Sequence, residues 1–129
     1  MIEVYTDGSS SGNPGPSGAG IYIKAGGEKY TYSFPLGVLS NHEAEFHAVI
    51  KALEICREQF SNEILSFRSD SRLVVDTIEK DYTKNPTFLP LLEKIREKSS
   101  SLPYFFIKWI PEKSNGHADQ LARKAIHMQ

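Results

Sequence analysis

Asp7, Glu45, Asp70 and Asp119 each stand where a strand or helix ends or begins. Asp7 follows Ile2-Glu3-Val4-Tyr5-Thr6, and Asp70 follows the strand that carries Ile64-Leu65-Ser66-Phe67. Glu45 falls at the start of a long helix, and Asp119 lies in Asn115-Gly116-His117-Ala118-Asp119-Gln120-Leu121-Ala122. Two like unit charges ~4 Å apart repel by about 4 kcal/mol at an effective dielectric near 20. Carboxylates brought to one place therefore take up protons or hold a divalent cation. The second option points to metal-assisted chemistry on a phosphate.

The elements that must position these acids follow from the hydrophobic pattern. Met1 to Thr6 reads as a first strand, with Ile2, Val4 and Thr6 on one face. Gly8 to Gly20, with five glycines and two prolines, reads as turn and loop. Residues 20–25 and 28–34 flank Gly26-Gly27, the pattern of an antiparallel hairpin. Ser40 or Asn41 can cap a helix running to about Gln59, with Glu43 or Glu45 in its first turn. Val49, Ala52 and Cys56, with Leu53 beside them, form its inner stripe; Glu45 lies on the same line, at the upper edge of the buried face. Residues 63–69 read as the fourth strand, and a helix starts at Asp70-Ser71 and runs to about Lys80. Residues 81–86 connect it to a helix ending near Lys98. Residues 104–110 form the fifth strand, and 115–127 the last helix. Three strands followed by alternating helix and strand imply an α/β mixed sheet with helices on both faces. Acids at its strand ends lie where such sheets bind ligands.

Composition bounds the function. A chain of 129 residues fits a single domain over 1–129 with a real core, and 40% apolar with 24% charged residues is ordinary for a globular protein. No apolar run approaches the ~20 residues of a membrane span. The single Cys56 cannot form an internal disulfide, which suits a reducing cytoplasm. The net charge of −1 and pI near 6.4 set a condition on any nucleic-acid reading: binding must be weak, metal-dependent or locally basic.

Four blocks then narrow the chemistry. Thr6-Asp7-Gly8-Ser9, followed by Gly12-Asn13-Pro14-Gly15-Pro16 and Gly18-Ala19-Gly20, resembles the first motif of type 1 ribonuclease H. Asn41, Ala44-Glu45, Ala48, Ala52 and Leu53 resemble its second motif, and Ser69-Asp70-Ser71 with Val74 its third. Trp109-Ile110-Pro111, Asn115 and Ala118-Asp119-Gln120-Leu121-Ala122 are similar to its fourth. The blocks occur in order over nearly the whole chain. The resemblance implies a ribonuclease H-like fold: five strands in order 3-2-1-4-5, with strands 1 to 3 antiparallel. It implies two divalent cations, Mg²⁺ or Mn²⁺, held by Asp7, Glu45, Asp70 and Asp119. Asp7 would bridge both ions, with Glu45 and Asp70 on one and Asp119 on the other. It further implies hydrolysis of the RNA strand of an RNA/DNA hybrid, tolerant of sequence because sugars and phosphates carry none directly. Gly8, Ser9, Gly12, Asn13, Asn41, His42 and Ser71 are the expected substrate contacts, Asn13 and Asn41 reading sugars and base edges. The expected state is a monomer.

The chain departs from the family at two places. Many relatives insert a basic helix and loop between the third and fourth motifs; here Asp81-Tyr82-Thr83-Lys84-Asn85-Pro86-Thr87 joins the two helices directly. The chain therefore matches a short form without that protrusion and without a separate N-terminal hybrid-binding domain, and a protein partner is one source of the missing affinity. Well-studied members also carry a flexible-loop histidine before the last acid. Here Glu112-Lys113-Ser114 occupies that loop, and His117 lies two residues before Asp119, where helical side chains diverge. Glu112 and Lys113 are the auxiliary candidates there, and His117 reads as a surface or capping residue. These departures keep a second reading open: a weakly active or non-catalytic member that binds hybrids or other nucleic acid. Of the remaining residues, Trp109 reads as core and Cys56 as inert. Tyr22, Tyr30 and Tyr32 read as packing on the outer face of the sheet, and Lys94, Arg96 and Lys98 as a solvated helix surface.

Overall fold

Strand β1 (Ile2–Ser10) lies at the centre of a five-stranded sheet. It pairs antiparallel with β2 (Gly15–Ala25) on one side and parallel with β4 (Leu65–Ser69) on the other. β3 (Glu28–Leu39) extends the antiparallel half and β5 (Phe105–Trp109) the parallel half, giving the order β3-β2-β1-β4-β5. This is the expected ribonuclease H-like order, seen in a computed structural model that describes residues 1–128. Helices α1 (Asn41–Gln59), α2 (Arg72–Lys80), α3 (Leu89–Ser99) and α4 (Gly116–Ile126) complete the architecture, with a short 3₁₀ turn at Glu112–Ser114.

The largest difference from the sequence expectation is the stretch 8–20. Most of it is strand, and only residues 11–14 are irregular. Its glycines answer to packing more than to turns. A Cβ on Gly8 would stand 2.2 Å from the Ala44 backbone, and one on Gly20 would stand 2.1 Å from the Ala118 carbonyl oxygen. Bare backbone lets α1 press on β1 from one face and α4 press on β2 from the other. Gly26 and Gly27, by contrast, are turn glycines: φ is +55° and +90°, the left-handed pair that a two-residue hairpin needs.

Ser40 caps α1 rather than Asn41. Its hydroxyl accepts from the Glu43 N–H, and the Glu43 carboxylate accepts from the Ser40 N–H, a reciprocal capping box. Phe46, Val49, Leu53 and Cys56 of α1 are fully buried against Val4, Ile21, Ile23, Leu65 and Phe67 of the sheet. Burial alone pushes the Cys56 thiol up to about 12, so it stays protonated and inert, as expected.

Two core assignments change. Trp109 is 36% exposed, because β5 ends there and its ring turns outward beneath the Arg72 guanidinium, 3.8 Å away. The three tyrosines do not share a face. Tyr30 and Tyr32 pair with Ile23 and Ile21 and lie on the α1 side, against Phe60 and Phe34, whereas Tyr22 is on the opposite side. The solvated cations of α3 are tethered: Arg96 Nε donates to Asp81 at 2.5 Å, and Lys98 reaches Glu54 at 3.0 Å. Asp81 ends α2 with φ +54°, and Arg96 also donates to its carbonyl, so the short α2–α3 junction is pinned directly.

Candidate active site

Parallel pairing of β1 with β4 sets Thr6 beside Ser69, so Asp70, just past the end of β4, comes beside Asp7, which lies within β1 rather than at its end as the sequence suggested. Glu45 arrives from the first turns of α1 across the Gly8 contact. The Gly8 N–H donates to Glu45 Oε1 at 2.8 Å, fixing the carboxylate against β1. Asp7, Glu45 and Asp70 each offer an oxygen within 4.8 Å of the others. Asp119 enters from the first turn of α4 and borders the same open cleft, of about 410 Å³, where Arg123 Nε holds its carboxylate at 3.2 Å.

The electrostatics are those of a cluster held together against repulsion. Burial, then the charges of Glu45, Asp70 and Asp119, push the Asp7 carboxyl up to about 10. Glu45 is pushed up to about 8, chiefly by burial, with the Gly8 N–H pulling the other way. Asp70 is also raised by burial, while the Asn115 amide opposes the rise. Among the described residues no cation pairs with Asp7, Glu45 or Asp70 within 4.0 Å. Three oxygens at this spacing, all hard donors and all better stabilised by positive charge than by water, fit a divalent cation of the Mg²⁺ or Mn²⁺ type.

The expected contact residues divide into groups. Gly8, Ser9 and Asn41 line the cleft with the acids, and Glu112 borders it from the 3₁₀ turn. Asn13 is exposed beside them, its side-chain oxygen accepting the Asn41 N–H at 2.9 Å and tying the β1–β2 connection to the start of α1. Gly12 sits in that connection with φ +140°. Ser71 caps α2, its hydroxyl accepting from the Val74 N–H. His42 lies edge-on to Phe88. Lys113 is exposed in the 3₁₀ turn. His117 is not part of the cleft: it stacks on Tyr22 at 4.3 Å and borders a separate small cavity with Tyr5, Lys24 and Ser114.

Two supporting residues escaped the site reading of the sequence. Asn115 is buried, and its amide donates to the Thr6 carbonyl at 2.9 Å and to Asp70 Oδ2 at 3.2 Å. One amide thus ties the middle of β1 to the acid just past the end of β4. The signal was its place four residues before Asp119, at the start of the helix. Trp109 donates its indole N–H to the Asp70 carbonyl at 3.1 Å, holding the same strand end from outside. Its alternation with buried neighbours masked that role.

A parallel strand pair that brings two acids to a cleft, completed by acids from two helices, defines a class: a mixed-sheet α/β protein with an acidic cleft able to hold a divalent cation. Comparison with known proteins narrows it. The sequence profile of the RNase H family matches residues 1–127, and the chain belongs to that family as a ribonuclease H enzyme. It is 41% identical over 128 residues to the EbsB protein of Enterococcus faecalis, whose name gives it provisionally as a hydrolase; the match covers 98% of this chain and 94% of that one. It is 31% identical to ribonuclease HI of Halobacterium salinarum, over 97% of this chain and 64% of the relative, under two thirds of that protein's length. Among solved structures, RNase H1 of Halobacterium salinarum superposes with a TM-score of 0.91 at 30% identity, over 99% of this chain and 98% of that chain. LC11-RNase H1 in complex with an RNA/DNA hybrid superposes at 0.92 with 32% identity, over 99% and 98%.

Proposed function

We propose that this protein is a divalent-metal-dependent endonuclease that hydrolyses the RNA strand of RNA/DNA hybrids. The observation that carries the reading is the convergence of Asp7, Glu45 and Asp70 within 4.8 Å at an open cleft with no cation pairing those acids among the described residues. The hybrid bound to LC11-RNase H1, a neighbour over nearly the whole chain, supports the substrate class.

Asp7, Glu45 and Asp70 would hold one cation, and Asp119 with Asp7 a second. Bound there, Mg²⁺ or Mn²⁺ supplies Lewis-acid stabilisation of phosphoryl oxygens and a more acidic water. The chain does the positioning. Gly8 and Asn115 donate hydrogen bonds that orient Glu45 and Asp70, and burial keeps bulk water from competing for the Asp7 oxygens. Asn13, bonded to the Asn41 backbone, presents an amide beside the cleft, where a hybrid's 2′-hydroxyls in the wide minor groove mark the RNA strand. Glu112, which borders the cleft, would exchange a proton with an incoming water. His117 has no such place.

The test is cleavage of an end-labelled hybrid in Mg²⁺, Mn²⁺ or EDTA, with single-stranded and duplex controls. The reading expects cutting of the hybrid's RNA strand only, with either metal and not in EDTA. Cutting that persists undiminished in Asp70→Asn would overturn it. The histidine-free cleft and pinned α2–α3 junction favour one competing result: hybrid binding without turnover, which would make the protein a binding member of the family.

A further inference from the structure

The sheet carries its two faces unequally. On the face away from α1, helix α4 packs on β1, β2 and β3, with Ala118, Ala122 and Ala125 seated on Gly18 and Gly20. Beyond α4, His117 covers Tyr22 and Arg68 is largely shielded, and the face opens over Lys24, Lys29, Phe106 and Lys108. Register pairs place Thr31, Tyr22, Tyr5, Arg68 and Lys108 in one row across all five strands. The next row holds Lys29, Lys24, Glu3, Ser66 and Phe106, because laterally paired residues share a face and successive ones alternate. Beyond it, at the strand ends, come Met1, Ile64 and Tyr104. Phe106 is 61% exposed and Tyr104 49%.

Charge on this face is opposite to that of the whole chain. Its two full rows contain four cations (Lys24, Lys29, Arg68 and Lys108) against one carboxylate, Glu3. The chain as a whole is −1. Glu3 is engaged by Arg68 at 2.7 Å and by the Tyr5 hydroxyl at 2.8 Å. Lys24, Lys29 and Lys108 are exposed. The surface thus joins exposed aromatic rings to a local excess of lysine. It also starts two residues below the acids, since Tyr5 and Arg68 stand two residues before Asp7 and Asp70.

We propose that this open face binds single-stranded nucleic acid, with Phe106 and Tyr104 stacking on bases and Lys24 and Lys108 meeting the phosphates. Aromatic platforms on open sheets with flanking cations bind strands in this sequence-tolerant way. A protein partner would use the same exposed rings but gains nothing from the lysines unless it is acidic. A single strand has both features. The surface lies outside the acid cleft, and binding to it needs no metal.

Fluorescence anisotropy of labelled oligouridylate and oligothymidylate, in EDTA and at low salt, tests the proposal independently of hydrolysis. Wild type is expected to bind in EDTA, with no metal required. Phe106→Ala, which removes an exposed ring and no core contact, should weaken binding by roughly 5- to 150-fold. Lys108→Gln should make the salt dependence shallower, by about 0.7 in log–log slope. The proposal is overturned if wild type does not bind, or if both variants bind as wild type does. It is also overturned if sedimentation shows a dimer that Phe106→Ala dissolves, which would assign the face to a second copy of the chain. Circular dichroism confirms that the variants are folded.

Discussion

The acid cleft and the α2–α3 junction treat charge in opposite ways. At the junction, Arg96 and Asp81 are exposed and paired, with Arg96 donating to both the carboxylate and the carbonyl of Asp81. At the cleft, Asp7, Glu45 and Asp70 crowd one another, and burial raises all three from their ordinary values. The first arrangement closes a turn at little cost. The second is tolerable only with a bound proton or cation, because uncompensated buried charge costs several kcal/mol. Unpaired acids beside an open cleft therefore mark the place where this molecule is built to take up something from solution.

The sharpest way to break that comparison is Asp70→Asn. Losing one ligand oxygen should lower hybrid cleavage on the order of 10³-fold, about 4 kcal/mol of barrier, with the melting temperature kept or raised. Equal loss of melting temperature and rate would make Asp70 a structural acid like Asp81.

Asn115→Ala should come next, at about 1–3 kcal/mol of stability, because it leaves the Thr6 carbonyl without its side-chain donor and frees the middle of β1 from Asp70. Urea denaturation measures it, and cleavage in the still-folded fraction should fall as well. A change within a few tenths of a kcal/mol would remove Asn115 from the support of the site.

The pH dependence sharpens the contrast further. Asp7 is raised in the folded state, so its protonated form is the one folding favours. That contribution is fully present below about pH 4 and is lost as pH rises toward about 10. Metal-free wild type should therefore lose stability relative to Asp7→Asn between pH 5 and 8, by about 1–3 kcal/mol. Divalent cation should restore wild type at pH 8 and leave the variant nearly unmoved. Thermal melts in EDTA and in Mg²⁺ at both pH values check this, and parallel pH profiles for the two proteins would refute it.

The smallest effect belongs to the junction. Arg96→Ala should cost under about 1 kcal/mol, since both partners are largely exposed and screened. A larger loss would mean that the short connection carries strain that its length alone does not show.

Much of this arrangement was legible in the chain. The Gly26-Gly27 hairpin and the apolar stripe of α1 follow from local rules, whereas the meeting of Asp7, Glu45 and Asp70 was an expectation from the family resemblance. Residues 8–20 were misread because glycine signals both turns and close backbone contact, and only the position of α1 and α4 separates the two meanings. Trp109 failed for a related reason. Alternation gives a side chain's face but not where the neighbouring cover ends. Asn115 was visible as a motif residue, yet its two partners lie 109 and 45 residues away, beyond any local pattern.

By itself, then, the sequence determined which residue types stand at each strand and helix end, because secondary structure is set by spacing, caps and turns over a few residues. Tertiary structure decided which of those ends meet. Parallel pairing of β1 with β4 brings Asp7 beside Asp70, and bare glycine backbone lets α1 carry Glu45 within hydrogen-bond reach of Gly8. It also decided that α4 covers only part of the second sheet face, leaving a basic aromatic surface on an acidic chain. Charge and exposure of that kind depend on what packs above a strand, and no spacing rule within the strand encodes it.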